Sequence, residues 1–256
     1  MATSISANDP TPNQDLEKPN HMIIWLDQHI GEPNQCIHLK KAFATNIDPR
    51  HETWVKLRDP DYNALLVAGD ELIIEFNGVR FLLQAFVDED ACVAAFERNQ
   101  DKRIFFITSG SKGQTAVPRI IEQYRHIFTD LTAEKAYESV YVFCLHIEYQ
   151  LDWAADYLEY VQMFNTESEL LERMIRDIAN YFIERSERLL RDEEHESALQ
   201  YLHWAKRLWH EYDKMQQQIG TDDHREVRLS EGMSQILEKI EQVERDIPTN
   251  SSDDEN

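Results

Sequence analysis

Between positions 21 and 165, short solid apolar runs alternate with stretches whose apolar residues recur every three or four positions. A solid run of five or six residues suits a strand covered on both faces, and the longer period suits an amphipathic helix. The clearest case is Lys102–Gly113, which reads K-R-I-F-F-I-T-S-G-S-K-G. Ile104 to Thr108 predicts a strand behind two cations, and Gly110 and Gly113 predict a small turn after it. Val117, Ile120, Ile121, Tyr124, Ile127 and Phe128 then set a helical stripe around Pro118. Strand, turn and helix in this order form half of a parallel crossover unit.

The unit recurs along the chain. Met22–Asp27 predicts a first strand, and Pro33 is placed for the first turn of a helix that buries Cys36, Leu39, Ala42 and Phe43. His38, Lys40 and Lys41 form the polar face of that helix. Positions 44 to 70 carry weaker signals. Asp48-Pro49 and Asp59-Pro60 are turn formers, and Trp54, Val55, Leu57, Leu65, Leu66 and Val67 are scattered apolar anchors. Asn77-Gly78 between Leu72–Phe76 and Val79–Phe86 predicts a β-hairpin whose second arm enters the main sheet. Asp88 predicts the N-cap of a helix carrying Ala91, Ala95 and Phe96. Ser139–His146 predicts a further strand, Leu151–Tyr160 a helix, and Val161–Phe164 a last strand. The reading is an α/β fold: a five-stranded, mostly parallel, doubly wound sheet, for which the order 2-1-3-4-5 is common at this size.

A C-terminal all-α helical extension follows. Thr166-x-x-Glu169 is a capping box, and Leu171, Met174, Ile175, Ile178, Phe182 and Ile183 form a broad stripe. The acidic turn Asp192–Glu196 breaks it. A second helix buries Ala198, Tyr201, Leu202, Ala205, Leu208, Trp209 and Tyr212. After a linker over 220–225, Met233, Ile236, Leu237, Ile240 and Val243 define a third. The predicted organisation is a disordered tail over 1–20, the α/β domain over 21–165, a helical hairpin plus third helix over 166–246, and a disordered acidic tail over 247–256.

Charge narrows the partners. With 48 acidic against 26 basic residues the formal net charge is −22, which argues against phosphate-backbone binding to nucleic acid and against an anionic membrane surface. A solvated surface, or an acidic face that docks a basic protein partner, fits better. Cys36, Cys92 and Cys144 are widely spaced, with no C-x-x-C. Neither a disulfide framework nor a cysteine zinc site is indicated, and no metal or cofactor is expected. The absence of an apolar leader or of a long apolar span points to a cytoplasmic location. Oligomeric state is left open.

In an open α/β sheet, ligands sit outside the carboxyl ends of the strands. The candidate crevice therefore gathers Asp27 and His29, then Ser109, Gly110, Ser111 and Lys112, then Cys144 and His146. Ser109 to Gly113 has the composition of a backbone nest for an anion, with Lys112 adding charge. It is neither a G-x-x-x-x-G-K-[ST] loop nor a G-x-G-x-x-G fingerprint, so no nucleotide is assigned. His203 and His210, seven apart, share a helix face without forming a metal motif. Tyr201, Trp204 and Trp209 are the candidate partner-binding residues of the helical part.

In element order, the first 165 residues resemble the receiver-like, flavodoxin-type modules of two-component signalling proteins. That family places an acidic pair after strand one, a phosphoacceptor Asp after strand three, a hydroxyl residue after strand four and a Lys after strand five. Asp27 matches half of the acidic pair, Ser109 lies near the acceptor position and Cys144 near the hydroxyl position, and no Lys follows Val161–Phe164. The resemblance implies a pseudo-receiver without magnesium-dependent phosphorylation. Cys144 at a strand end also resembles the layout of caspase-type proteases, but the earlier turn lacks their histidine. Glu167-x-Glu169 resembles the E-x-E of arginine ADP-ribosyltransferases, although both fit a helix first turn. Phe182, Ser186, Leu189, Ala198, Leu202 and Ala205 resemble one tetratricopeptide unit, or with the third helix a microtubule-interacting and trafficking hairpin. Receiver-like and tetratricopeptide-like parts together resemble uncharacterised multidomain animal proteins. Two functions follow as expectations. The first is a non-enzymatic adaptor that binds a protein partner. The second is an enzyme or sensor that takes a small anionic ligand, a nucleotide or phosphate, at the strand ends.

Overall fold

The computed structural model describes residues 19–48, 53–58, 60–62, 71–130, 135–219 and 230–247. The polar stretch before residue 19, Pro49, Asp59, the anchors Leu65, Leu66 and Val67, the linker over 220–225 and the end beyond 247 lie outside these residues. Within them the fold is α/β, with a mostly parallel central sheet and an all-α region behind it. The strands are β1 (His21–Leu26), β2 (Thr45–Asp48), β3 (Thr53–Lys56), β4 (Leu72–Phe76), β5 (Val79–Phe86), β6 (Arg103–Ser109), β7 (Thr129–Asp130), β8 (Lys135–Ala136), β9 (Val140–Phe143) and β10 (Val161–Phe164). The helices are α1 (Ile37–Ala42), α2 (Glu89–Arg98), α3 (Gly110–Tyr124), α4 (Leu151–Ala154), α5 (Glu167–Arg191), α6 (His195–Ile219) and α7 (Glu231–Asp246).

Among the described residues eight strands form the main sheet in the order β10-β9-β6-β1-β5-β4-β2-β3, so the expected count of five is corrected. Five of them, β5, β1, β6, β9 and β10, run parallel. The other three, β4, β2 and β3, extend the β5 side as an antiparallel flap. The strand runs β2 and β3 fall where turn formers interrupt the apolar pattern, which is why the pattern does not announce them. The hairpin forms where Asn-Gly predicts it. Asn77 and Gly78 both take positive φ, 51° and 76°, the left-handed pair a two-residue turn of this kind requires.

Side chains alternate cleanly across the sheet. Ile23, Trp25, Phe105, Ile107, Leu83 and Tyr141 face one way and pack with α5, α6 and α7 residues such as Met174, Ile178, Phe182, Leu202 and Ile236. Met22, Ile24, Leu26, Phe106 and Val142 face the other way and pack with α2 and α3 through Cys92, Phe96, Ala116 and Ile120. The helical extension is thus one of the two layers that cover the sheet. A sheet buried on both faces needs solid apolar strands, and that is what the runs supply.

Three element readings change. Strand β6 runs straight into α3 at Gly110, with no separate turn. The helix expected over 151–160 is a single turn, α4, followed by tighter turns. Pro33 sits in a turn ahead of α1, and Lys40, expected on a polar face, is buried at 5% exposure with its ammonium on the Glu32 carbonyl at 2.8 Å. Among the described residues no helix is long and apolar enough to cross a membrane.

Candidate functional site

The carboxyl ends of β1, β6 and β9 bring part of the predicted crevice together. Asp27 closes β1: its N–H donates to the Phe86 carbonyl at 3.0 Å, and its Oδ1 accepts from the His29 N–H at 2.8 Å. The carboxylate therefore shapes its own turn. Burial pushes its pKa above the usual carboxylate range, the backbone bond from His29 opposes this, and the charges of Glu167 and Glu32 add to the rise. His29 is held by its neighbours, with Nδ1 2.8 Å from Glu32 Oε1 and Nε2 accepting from Gln28 at 2.6 Å.

Ser109 is the N-cap residue of α3 but makes no side-chain cap bond, and its Oγ lies 3.5 Å from Ser111 Oγ. The nest expected over 109–113 is instead the first turn of the helix, because both glycines serve close packing. A Cβ on Gly110 would lie 2.8 Å from the Cβ of Cys144 and 3.0 Å from the Gln150 amide carbon. A Cβ on Gly113 would press on Thr108 at 3.1 Å and on the Trp153 ring. Ser109, Gly110 and Cys144 are thus brought together by a close approach that leaves a side chain no room. Lys112 is partly exposed on the same turn.

Cys144 is half-buried, and burial with the nearby Glu148 raises its pKa. Among the described residues no hydrogen bond joins its thiol to a histidine. His146 is exposed and turned to Glu148, Nδ1 to Oε1 3.2 Å. A thiol without a base or cation is a poor nucleophile. Cys36 is pushed further, up to about 12, by burial beside Asp27 and Glu167. The Glu167-x-Glu169 pair is divided between two caps. Glu167 Oε2 accepts from the N–H groups of His38 at 2.8 Å and Leu39 at 3.0 Å, capping α1 from another element, and the Glu169 N–H donates to Thr166 Oγ1 at 3.2 Å.

The aromatic candidates of the helical layer are engaged within the fold. Tyr201 Oη accepts from the Asn20 amide at 3.1 Å, and Trp204 packs on Phe182 and His21 with ring centroids 5.4 and 5.6 Å away. Trp209 lies on Gly232 of α7, whose Cβ would come 2.8 Å from the indole.

Sequence reading missed the opposite end of the sheet. Between the starts of β6 and β9 and the middle of α5 lies a cavity of about 280 Å³ lined by Arg103, Tyr137, Ser139, Arg173, Arg176 and Tyr181, among others. Arg103 was visible only as a cation ahead of a solid apolar run, and nothing local marks it as inward-facing. Among the described residues no cluster of His, Cys, Asp and Glu is arranged to hold a metal ion. Compared with protein-family models, curated proteins and solved structures, the chain matches none.

Proposed function

We propose that this chain is a non-catalytic protein-interaction module, a degenerate receiver-like sheet stabilised by a tetratricopeptide-like helical layer. The parallel strand order β5-β1-β6-β9-β10, with Asp27 ending its second member, supports the receiver-like part. The small residues Ser186, Ala198 and Ala205, all buried between α5 and α6, support the helical part. The state of the strand-end residues supports a binding role over chemistry: Asp27 is spent on its own turn, and Cys144 has a raised pKa.

The observation that carries the reading is the connection after β9. Leu145, Tyr149, Leu151 and Leu158 are 75, 74, 53 and 68% exposed, within fourteen residues. Glu148, Asp152, Asp156 and Glu159 are interleaved with them and also exposed. Large exposed apolar side chains grouped in this way mark interaction surfaces. Their acidic setting selects a partner segment that is basic and apolar.

A photo-crosslinking residue placed at Tyr149 tests this. Cross-linked partners should present basic, apolar-striped segments and should be lost when Leu145 and Leu158 are both changed to Glu. Turnover of a nucleotide, ester or peptide by the purified chain, abolished by Cys144→Ser or Asp27→Asn, would overturn the reading.

A further inference from the structure

The cavity at the amino ends of the strands holds a cation in an unusual state. Arg103 begins β6, one strand from the middle of the sheet, and its backbone N–H donates to the Asn20 carbonyl at 3.1 Å. Its guanidinium carbon sits among rings, 3.5 Å from the Tyr137 centroid and 5.3 Å from those of Phe105 and Tyr181. Its Nε is sealed from solvent with no hydrogen-bond partner. The one bond its side chain makes among the described residues is a long one from Nη1 to the Ile127 carbonyl, 3.4 Å. No carboxylate pairs with it there.

A guanidinium does not escape this by losing its proton, since its pKa is too high. Burial lowers that pKa from its ordinary value without making the group neutral. Aromatic faces offset part of the lost hydration, yet they cannot accept the in-plane N–H bonds. Arg103 is partly buried and lines the cavity, and its Nε is left both sealed and without an acceptor, which costs the desolvation of that N–H.

A second, independent group lies at the same cavity. Ser139 is 1% exposed and lines the cavity, and its Oγ has no hydrogen-bond partner. Its own carbonyl is used, accepting from the Phe106 N–H at 2.8 Å, which fixes Ser139 beside the start of β6. The other cations at the cavity are already matched: Arg173 with Asp177 and Glu138, Arg176 with Asp177, Lys135 with Glu184. The unmatched pair is Arg103 and Ser139.

We propose that this cavity binds a small ligand through an oxyanion, a phosphoryl or carboxylate group seated between Arg103 and Ser139. An oxyanion supplies the in-plane acceptors that Arg103 lacks and accepts the Ser139 hydroxyl. The volume is at the small end of ligand pockets, and tyrosines on its wall suit the body of a compact metabolite. The site is independent of the exposed connection after β9 and lies at the opposite end of the strands from Asp27 and Cys144.

The test is calorimetric titration of the full chain with inorganic phosphate and, separately, with succinate, each against potassium chloride at equal ionic strength. Melting is followed in parallel. Saturable binding of either anion is expected, with Tm rising as its concentration increases. At about 100 times the dissociation constant the folding equilibrium shifts roughly 100-fold. A response to phosphate assigns a phosphoryl ligand, and a response to succinate alone assigns a carboxylate. Arg103→Met, which leaves an apolar chain among the rings, should weaken binding by at least tenfold, on the order expected for a lost charged hydrogen bond. Ser139→Ala removes one oxygen from a packed strand start and should weaken it less; it carries the test if Arg103→Met does not fold. No saturable heat with either anion, or heat undiminished in these variants, would overturn the proposal.

Discussion

His21 shows how far one buried side chain departs from its ordinary chemistry. It is 1% exposed, its Nε2 donates to the Arg80 carbonyl at 2.8 Å, and its ring packs on Phe81, Phe182 and Trp204. Burial depresses its pKa from 6.5 to about 4. The unfolded chain therefore takes up this proton first as pH falls. The stability that His21 contributes is complete above pH 6.5 and is lost progressively between 6.5 and 4, by up to about 3 kcal/mol. Asp27 and Asp177, both raised by burial, act in the opposite sense. Urea titrations from pH 7 to 4 should show a steeper loss for the natural chain than for His21→Gln, and parallel profiles would refute the assignment. No motif in the sequence distinguishes this histidine from His29 or His146. The first position of a solid apolar run hints at burial, but only the packed α5 and α6 rings exclude water from it. Asp27 and Cys144 were legible as strand-end residues, while the burial that raises their pKa values depends on neighbours distant in sequence.

Elements with strong local signals appear where the pattern places them. Thr166 and Asp88 accept a hydrogen bond from the N–H three residues on, and Ser230, which the sequence reading did not single out, does the same, the geometry of a good N-cap. Helix α1 is different. Its N-cap position is Cys36, left-handed at φ 53° and without a side-chain bond. The missing cap comes from Glu167, well over 100 residues later, whose carboxylate takes two N–H groups of α1. Glu167→Ala should destabilise the fold by about 1–2 kcal/mol, in the range of a lost cap. Hydrogen exchange should accelerate selectively at residues 37–42, and uniform or absent acceleration would count against this capping role. In the sequence Glu167 reads as a first-turn acid of its own helix, which it also is. Its second role exists only because α5 starts beside α1.

For the whole molecule, the question is whether the helical layer is an appendage or a wall. The buried residues of β1, β6 and β5 on one face share a single cluster with α5, α6 and α7. Removing residues 166–247 would strip Met174, Ile178, Phe182, Leu202 and Ile236 from the cluster that covers Ile23, Phe105, Ile107 and Tyr141, leaving only the side near Phe43 and Tyr62 covered. A chain ending at residue 165 should therefore lack near-ultraviolet circular dichroism and dispersed amide resonances, whereas the full chain should lose both in one cooperative step. A well-dispersed truncated form would refute the shared core. The class of fold was readable in advance because strands covered on both faces must be solidly apolar and crossover helices must be amphipathic, and both are local patterns. The parallel strand runs, the Asn-Gly hairpin and the capped helices belong to that local level. The antiparallel flap, the joining of the helical layer to the sheet, the cap on α1 and the placing of Arg103 and Ser139 on one cavity do not. Each depends on which distant segments pack side by side, and burial, pairing and pKa are properties of that packing rather than of any stretch of chain.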